Sequence, residues 1–181
     1  MEHLSDHAPE EEGYRPGEEV RKIRQASQGG GGDDNLMLKH VDIYITHTVK
    51  GFVADGARYA YVLMYNGQPK YGYGEIRERI TQNSLLLMVM KEALDRMRYP
   101  CEIMVCMDSK YIASAFANAW TDTWRNNGYR KADGGKIVDA GKWEELLTAC
   151  GLHVMEVVYS GHHEMTGILE TGIRRGGVFE T

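Results

Sequence analysis

From about residue 41 the chain alternates between apolar, β-branched runs and polar turns, a pattern typical of strands. Such runs occur at 41–46, 58–65 and 71–76. Asn66-Gly67 separates the last two runs, and this dipeptide favours the tight turn of an antiparallel hairpin. We therefore expect the first three strands to form an antiparallel meander.

After the third run the apolar positions recur every three to four residues, which predicts helices. We expect, in order, a helix over 83–98, a buried strand over 103–107, a helix capped by Ser109 that runs to about residue 119, a helix over 143–150, a strand over 154–159 and a short tail. Three strands followed by alternating helices and strands predict an α/β fold. We expect a five-stranded mixed sheet with helices on both faces.

Acidic residues are concentrated before the first strand. The 181 residues carry 26 acidic and 21 basic side chains, a formal net charge of -5. Residues 1–36 hold nine of these acids and four of these bases, so residues 37–181 balance at 17 of each. Because residues 1–36 contain few large apolar side chains and include four glycines at 29–32, we expect a disordered acidic tail with a flexible linker, and a folded domain over 37–181.

The cysteines and the apolar runs bear on location. Cys101 and Cys106 flank a predicted strand, and Cys150 makes the total odd, so we expect buried thiols in a reducing compartment. No apolar run approaches the roughly 20 residues that span a bilayer. We predict a cytoplasmic protein without a membrane segment or leader peptide.

Four short motifs occur at the junctions between the predicted elements. They are Thr81-Gln82-Asn83 at the start of the first helix, Asp108-Ser109-Lys110-Tyr111 between a strand and a helix, a basic loop between tryptophans within 120–147, and Ser160-Gly161-His162 after the last strand. In this order and with this secondary structure, the chain resembles the type 1 ribonuclease H family over roughly residues 40–165. The resemblance implies a ribonuclease H-like fold and an RNA–DNA hybrid as ligand.

The resemblance also implies a site for two Mg²⁺ ions, which members of that family use to cut the RNA strand. Hard cations held about 4 Å apart require several carboxylate ligands. The family's four carboxylate positions correspond in this chain to Thr46, Leu86, Asp108 and a position near Gly172, with Glu170 the nearest acid. We therefore expect a degenerate site in which Asp108 and His162 are residual catalytic residues and Asp108 is a weak metal ligand. Mg²⁺ or Mn²⁺ would matter only if activity remains.

Other readings of these residues remain open. Asp108 and Ser109 are also suited to capping a helix, and His162 to an exposed loop. His47, His162 and Asp108 are donors of the type that a transition-metal site uses. Thr81, Gln82 and Asn83 are expected either to cap a helix or to face a nucleic-acid backbone.

The segment between Trp124 and Trp143 combines bases with aromatic residues. Arg125, Arg130, Lys131 and Lys136 are expected, with Trp124, to bind a nucleic-acid backbone, although a solvated loop on buried tryptophans fits the same pattern. Three functions follow. The first is a nucleic-acid-binding domain for a hybrid or duplex RNA that has lost cleavage. The alternatives are an active hybrid endoribonuclease with a non-standard metal cage and a scaffold for a protein partner.

Overall fold

The computed structural model describes residues 37–180 and contains one mixed five-stranded sheet. The strands are β1 (Lys39–His47), β2 (Val53–Ala54), β3 (Ala57–Tyr65), β4 (Gln68–Ile76), β5 (Ile80–Thr81), β6 (Cys101–Met107) and β7 (Val154–Tyr159). The strand order in the large sheet is β4-β3-β1-β6-β7, and β2 pairs with β5 in a separate ribbon. The predicted acidic tail, residues 1–36, lies outside the described residues.

The first three long strands form the predicted antiparallel meander. β1 pairs with β3, and β3 pairs with β4, in antiparallel registers. The hairpin between β3 and β4 turns at Asn66 and Gly67, which both have positive φ angles, 49° and 72°, as a tight turn of this kind requires.

β1 and β6 lie side by side and run parallel, and β6 also pairs in parallel with β7. The carboxyl ends of β1, β6 and β7 therefore lie at one edge of the sheet, the edge where α/β sheets commonly bind ligands.

Helices cover both faces of the sheet, as predicted. They are α1 (Gln82–Leu94), α2 (Lys110–Ala117), α3 (Trp120–Asn127), α4 (Ala140–Cys150) and α5 (Thr166–Arg174). On one face the core includes Ile43, Val105, Leu86 and Trp143. On the other face α5 packs Leu169 and Ile173 against side chains of β1, β3 and β6.

Four elements differ from the sequence-based expectation. The segment expected as a short tail contains α5, α3 lies between the helices predicted to end near residue 119 and to begin at residue 143, and the two-residue strands β2 and β5 were not predicted. Gly167, Gly172 and the β-branched Thr166 and Thr171 give α5 a low intrinsic helix propensity. Leu169, fully buried, supplies the packing that stabilises the helix instead.

Candidate functional site

A histidine and an aspartate meet at the carboxyl edge of the parallel strands. His47 ends β1, Asp108 follows β6, and His47 Nε2 lies 2.7 Å from Asp108 Oδ1. The backbone N–H of Val49 donates to His47 Nδ1 at 3.1 Å. Because Nδ1 accepts that bond, the neutral ring carries its proton on Nε2 and donates it to Asp108.

This pair is asymmetric in its exposure. The His47 side chain is 3% exposed, whereas Asp108 is 36% exposed. Burial raises the pKa of the Asp108 carboxyl, but the hydrogen bonds that it accepts, first of all the one from His47, lower that pKa by more. Asp108 is therefore held below its usual pKa and stays ionised near neutral pH.

The two histidines that follow β7 face different surroundings. His162 is exposed, and its backbone carbonyl accepts a hydrogen bond from Ser160 at 2.6 Å. His163 instead lies against β1, where its Nε2 is 3.1 Å from the carbonyl oxygen of Ile45 and 3.3 Å from Thr46 Oγ1.

The alternative transition-metal group of His47, His162 and Asp108 is not formed. Within residues 37–180, no three His, Cys, Asp or Glu side chains are grouped so as to hold a metal ion. The reason is local: the histidine of this loop that packs against β1 is His163, while His162 points to solvent.

The start of α1 is hydrogen-bonded to the residues that follow β6. Thr81 caps the helix by accepting from the N–H of Ser84 at 3.1 Å, which agrees with the capping interpretation. Gln82 Nε2 donates to the backbone carbonyl of Asp108 at 3.0 Å. Asn83 Oδ1 accepts from Ser109 Oγ at 2.7 Å, so both amide side chains serve at least a structural role.

The other expected carboxylate positions lack acidic side chains. Leu86 is fully buried in the core under the sheet. A Cβ atom placed on Gly172 would lie 2.0 Å from the Phe179 ring, so no larger side chain fits there without moving that ring. Glu170 belongs to α5 and is exposed, which corrects the expectation of a short tail after the last strand.

The basic loop, residues 125–142, begins with the last residues of α3, ends with the first residues of α4 and forms a short hairpin between them. Arg130 and Lys136 form an antiparallel β-bridge, and the N–H of Ile137 donates to the carbonyl of Tyr129 at 2.9 Å. The Arg130 guanidinium donates to the carbonyl of Gly134 at 2.8 Å, which ties this side chain to its own turn. Arg125, Lys131 and Lys136 are exposed.

Trp124 belongs to an aromatic cluster under the basic loop. Its ring centroid lies 4.9 Å from that of Trp143, which is fully buried, and 6.3 Å from that of Trp120. Trp124 itself is half-buried, so one part of the ring supports the core and another remains accessible for stacking.

Sequence reasoning did not single out the loop between β1 and β2. Its Phe52 side chain is 72% exposed, and the Phe52 carbonyl accepts from the N–H of Gln82 at 2.9 Å, which fixes the loop beside the start of α1. Lys50 in the same loop is also exposed. An isolated exposed phenylalanine has no periodic signal, so the pattern of the sequence could not have identified it.

The fold is an α/β domain with a mixed five-stranded sheet, and His47 and Asp108 meet at the carboxyl edge of its parallel strands. Residues 48–168 match the sequence profile of the RNase H family. The chain belongs to the RNase H family. A ribonuclease H of Thermoanaerobacter sp. (strain X514) is 30% identical over 123 residues, which cover 67% of this chain and 78% of that protein. A ribonuclease H of Escherichia coli O9:H4 is 30% identical over 120 residues, 65% of this chain and 74% of that protein.

Two solved structures share the fold. A type 1 RNase H with the type 2 active-site motif has a TM-score of 0.59 at 16% identity, over 81% of this chain and 77% of that chain. The N-terminal RNase H domain of a Mycobacterium tuberculosis protein, solved as a fusion, has a TM-score of 0.54 at 16% identity, over 76% and 95% of the two chains. The predicted five-stranded mixed sheet is thereby confirmed. In the described part of the chain, no helix is long and apolar enough to cross a membrane.

Proposed function

We propose that this chain binds RNA–DNA hybrid, or duplex RNA of the same A-form geometry, and does not cleave it by the two-metal route. The observation that carries the non-cleaving part of the proposal is the hydrogen bond between the buried His47 ring and Asp108 Oδ1. The one aspartate that matches the family's acidic motif is engaged by a side chain of its own chain.

The residues at the family's other carboxylate positions do not fit a pair of Mg²⁺ ions. Such a pair requires several anionic oxygen ligands on both sides of the reacting phosphate. In this chain Thr46 offers a hydroxyl, Leu86 an apolar side chain inside the core, and Gly172 no side chain. The proposed function therefore includes no cleavage step at bound metal, and Mg²⁺ or Mn²⁺ is not required for the proposed binding.

Nucleic-acid binding is supported by the charges and aromatic rings on the exposed side of the basic loop. Residues 125–142 contain five bases and two acids, a net charge of +3. Exposed lysines and arginines neutralise phosphates regardless of base sequence, and A-form duplexes are recognised mainly through phosphates and 2′-hydroxyls. Trp124, the exposed Phe52 and the amides of Gln82 and Asn83 are the proposed contacts nearer the strand edge.

The first test is a binding measurement on the full chain. Binding to a labelled hybrid, duplex RNA and duplex DNA of one sequence is measured by fluorescence anisotropy between 50 and 300 mM salt. We expect preference for the A-form ligands and an affinity that falls steeply with salt, since about 0.7 to 0.9 counterions are released per phosphate contacted.

Substitution of two loop lysines examines the proposed surface. Lys131→Gln with Lys136→Gln should weaken hybrid binding and lower the salt slope by about 2, one for each lost phosphate contact. The matched control is Lys39→Gln with Lys70→Gln, two lysines at the amino end of β1 and on β4. Equal losses in both double variants would contradict a binding surface at the basic loop.

Cleavage assays with Mg²⁺ and with Mn²⁺ address the alternative of an active nuclease. Hybrid cleavage that disappears in Asp108→Asn would overturn the non-cleaving proposal. A folded chain that binds none of the three nucleic acids would favour a protein scaffold instead. A cytoplasmic location remains part of the proposal; within residues 37–180 the three cysteines are unpaired.

A further inference from the structure

We infer that the acidic segment, residues 1–36, docks on the basic loop, residues 125–142, and competes there with nucleic acid. The inference rests on the proposed function, because the competition concerns the proposed nucleic-acid surface. The charge of the two segments is opposite: -5 from nine acids and four bases against +3 from five bases and two acids.

The bases of the basic loop have no close carboxylate partner among the described residues. Among described residues, none of its five bases forms an ion pair at 4.0 Å or less. One of its two acids, Asp133, accepts a hydrogen bond from the N–H of Gly135 inside the turn. The bridge between Arg130 and Lys136 fixes the hairpin that presents Lys131 and Lys136 to solvent. The loop is thus an ordered cationic surface that lacks an anionic partner in the folded domain.

The acidic segment has the charge density that such a surface binds. Its acids include the run Glu10-Glu11-Glu12 and the pair Glu18-Glu19. In an extended chain successive residues are about 3.3 to 3.6 Å apart, close to the 3.4 Å of helix axis per charge along one DNA strand. In an extended conformation, the three consecutive glutamates would match the charge spacing of three successive phosphates.

The length of the acidic segment allows it to reach the loop. The segment precedes β1, whose nine residues span about 30 Å from Lys39 to the edge where His47 lies. Thirty-six residues have a contour length of about 120 Å, several times that distance. A segment in the same chain acts at an effective concentration of about millimolar, which makes even a weak ionic contact competitive.

Cross-linking tests the contact without any nucleic acid. The full chain is treated at 50 mM salt with a carbodiimide, which joins carboxylates to lysines in direct contact, and monomeric products are mapped by mass spectrometry. We expect links from the glutamates of residues 1–36 to Lys131 and Lys136, and their loss at 500 mM salt. Links that go to Lys39 and Lys70 instead, or no links at all, would overturn the inference.

Hybrid affinity tests the competition. In the full chain, Glu10→Gln, Glu11→Gln and Glu12→Gln together should tighten hybrid binding about threefold to tenfold at 50 mM salt, and the gain should vanish at 300 mM because surface charge interactions are screened. The matched control removes three exposed carboxylates of the folded domain, Glu78, Glu145 and Glu156. An equal gain in the control would mean that only net charge acts, and would refute docking.

The two experiments separate the inference from the proposed function. Cross-links to the basic loop in a chain that binds no hybrid would retain docking and refute nucleic-acid binding. Hybrid binding that depends on Lys131 and Lys136, without cross-links and without a gain in the triple variant, would retain the function and refute docking.

Discussion

Replacement of Asp108 by alanine should destabilise this protein, which is the opposite of what a cage of carboxylates predicts. Without metal, clustered carboxylates repel one another, so removal of one relieves repulsion and stabilises the fold. Here Asp108 accepts a hydrogen bond from His47, whose side chain is 3% exposed. Loss of the carboxylate leaves the Nε2–H of that ring buried without its partner.

The expected size of the effect follows from the cost of an unsatisfied buried donor, about 1 to 3 kcal/mol. For a domain of this size each kcal/mol lowers the melting temperature by about 3 °C, so Asp108→Ala should melt about 3 to 10 °C below the wild type. Asp108→Asn retains an oxygen that accepts from His47, and should lose less than about 1 kcal/mol.

Urea unfolding and thermal melting of the full chain, each with 5 mM EDTA, measure the difference. Glu145→Ala is the control, because it removes an exposed carboxylate from α4 and should leave the free energy of unfolding within about 0.5 kcal/mol of the wild type. An Asp108→Ala variant as stable as the wild type, or more stable, would refute the argument that His47 and Asp108 form a structural pair.

Three further predictions concern other parts of the fold. Burial lowers the pKa of His153 below its usual value, so protonation favours the unfolded chain. The free energy of unfolding is therefore highest above the unfolded pKa of about 6.5 and decreases as pH falls toward the folded pKa. The loss of unfolding free energy between pH 7.5 and 5.5 should be smaller in His153→Gln. Gly72→Ala should cost about 1 to 3 kcal/mol, because the new Cβ would lie 2.1 Å from Cζ of the buried Tyr61 ring. Gly141→Ala, where the Cβ meets nothing within 4 Å in α4, should instead be neutral or stabilising in the same urea titration. Trp143→Ala should cost about 3 to 5 kcal/mol in that assay, and Trp143→Phe clearly less, since among described groups the indole N–H has no hydrogen-bond partner to lose.

The elements that sequence reasoning identified are those with a strong local signal. The apolar runs of β1, β3 and β6 and the turn at Asn66-Gly67 each depend on side chains within a few residues, so the pattern predicted them. α5 depends on packing against a sheet assembled from distant parts of the chain, as the burial of Leu169 illustrates. Its glycines gave the opposite local signal, and it was missed.

The site was predictable only in part. Sequence reasoning named His47 and Asp108 as possible donors, but their meeting at one edge of the sheet depends on the parallel pairing of β1 with β6, which no local pattern indicates. Spacing did not indicate that Nδ1 of His47 accepts from Val49, which makes the ring a donor to Asp108. Nor did it distinguish His162 from His163, because the direction of adjacent side chains in a loop depends on the turn and has no period.

Placing carboxylates at Thr46 and Leu86, two of the family's carboxylate positions, is not expected to restore a metal site by itself. Thr46→Asp would add a negative charge at the end of β1, next to the hydrogen bond between His47 and Asp108. Leu86→Glu would bury a carboxylate in a fully enclosed core position, which costs several kcal/mol unless a cation pairs with it. The His47 bond and the packing of Leu86 each oppose a metal cage on their own. Both features support the proposal that the basic loop, and not Asp108, makes the main contact with nucleic acid.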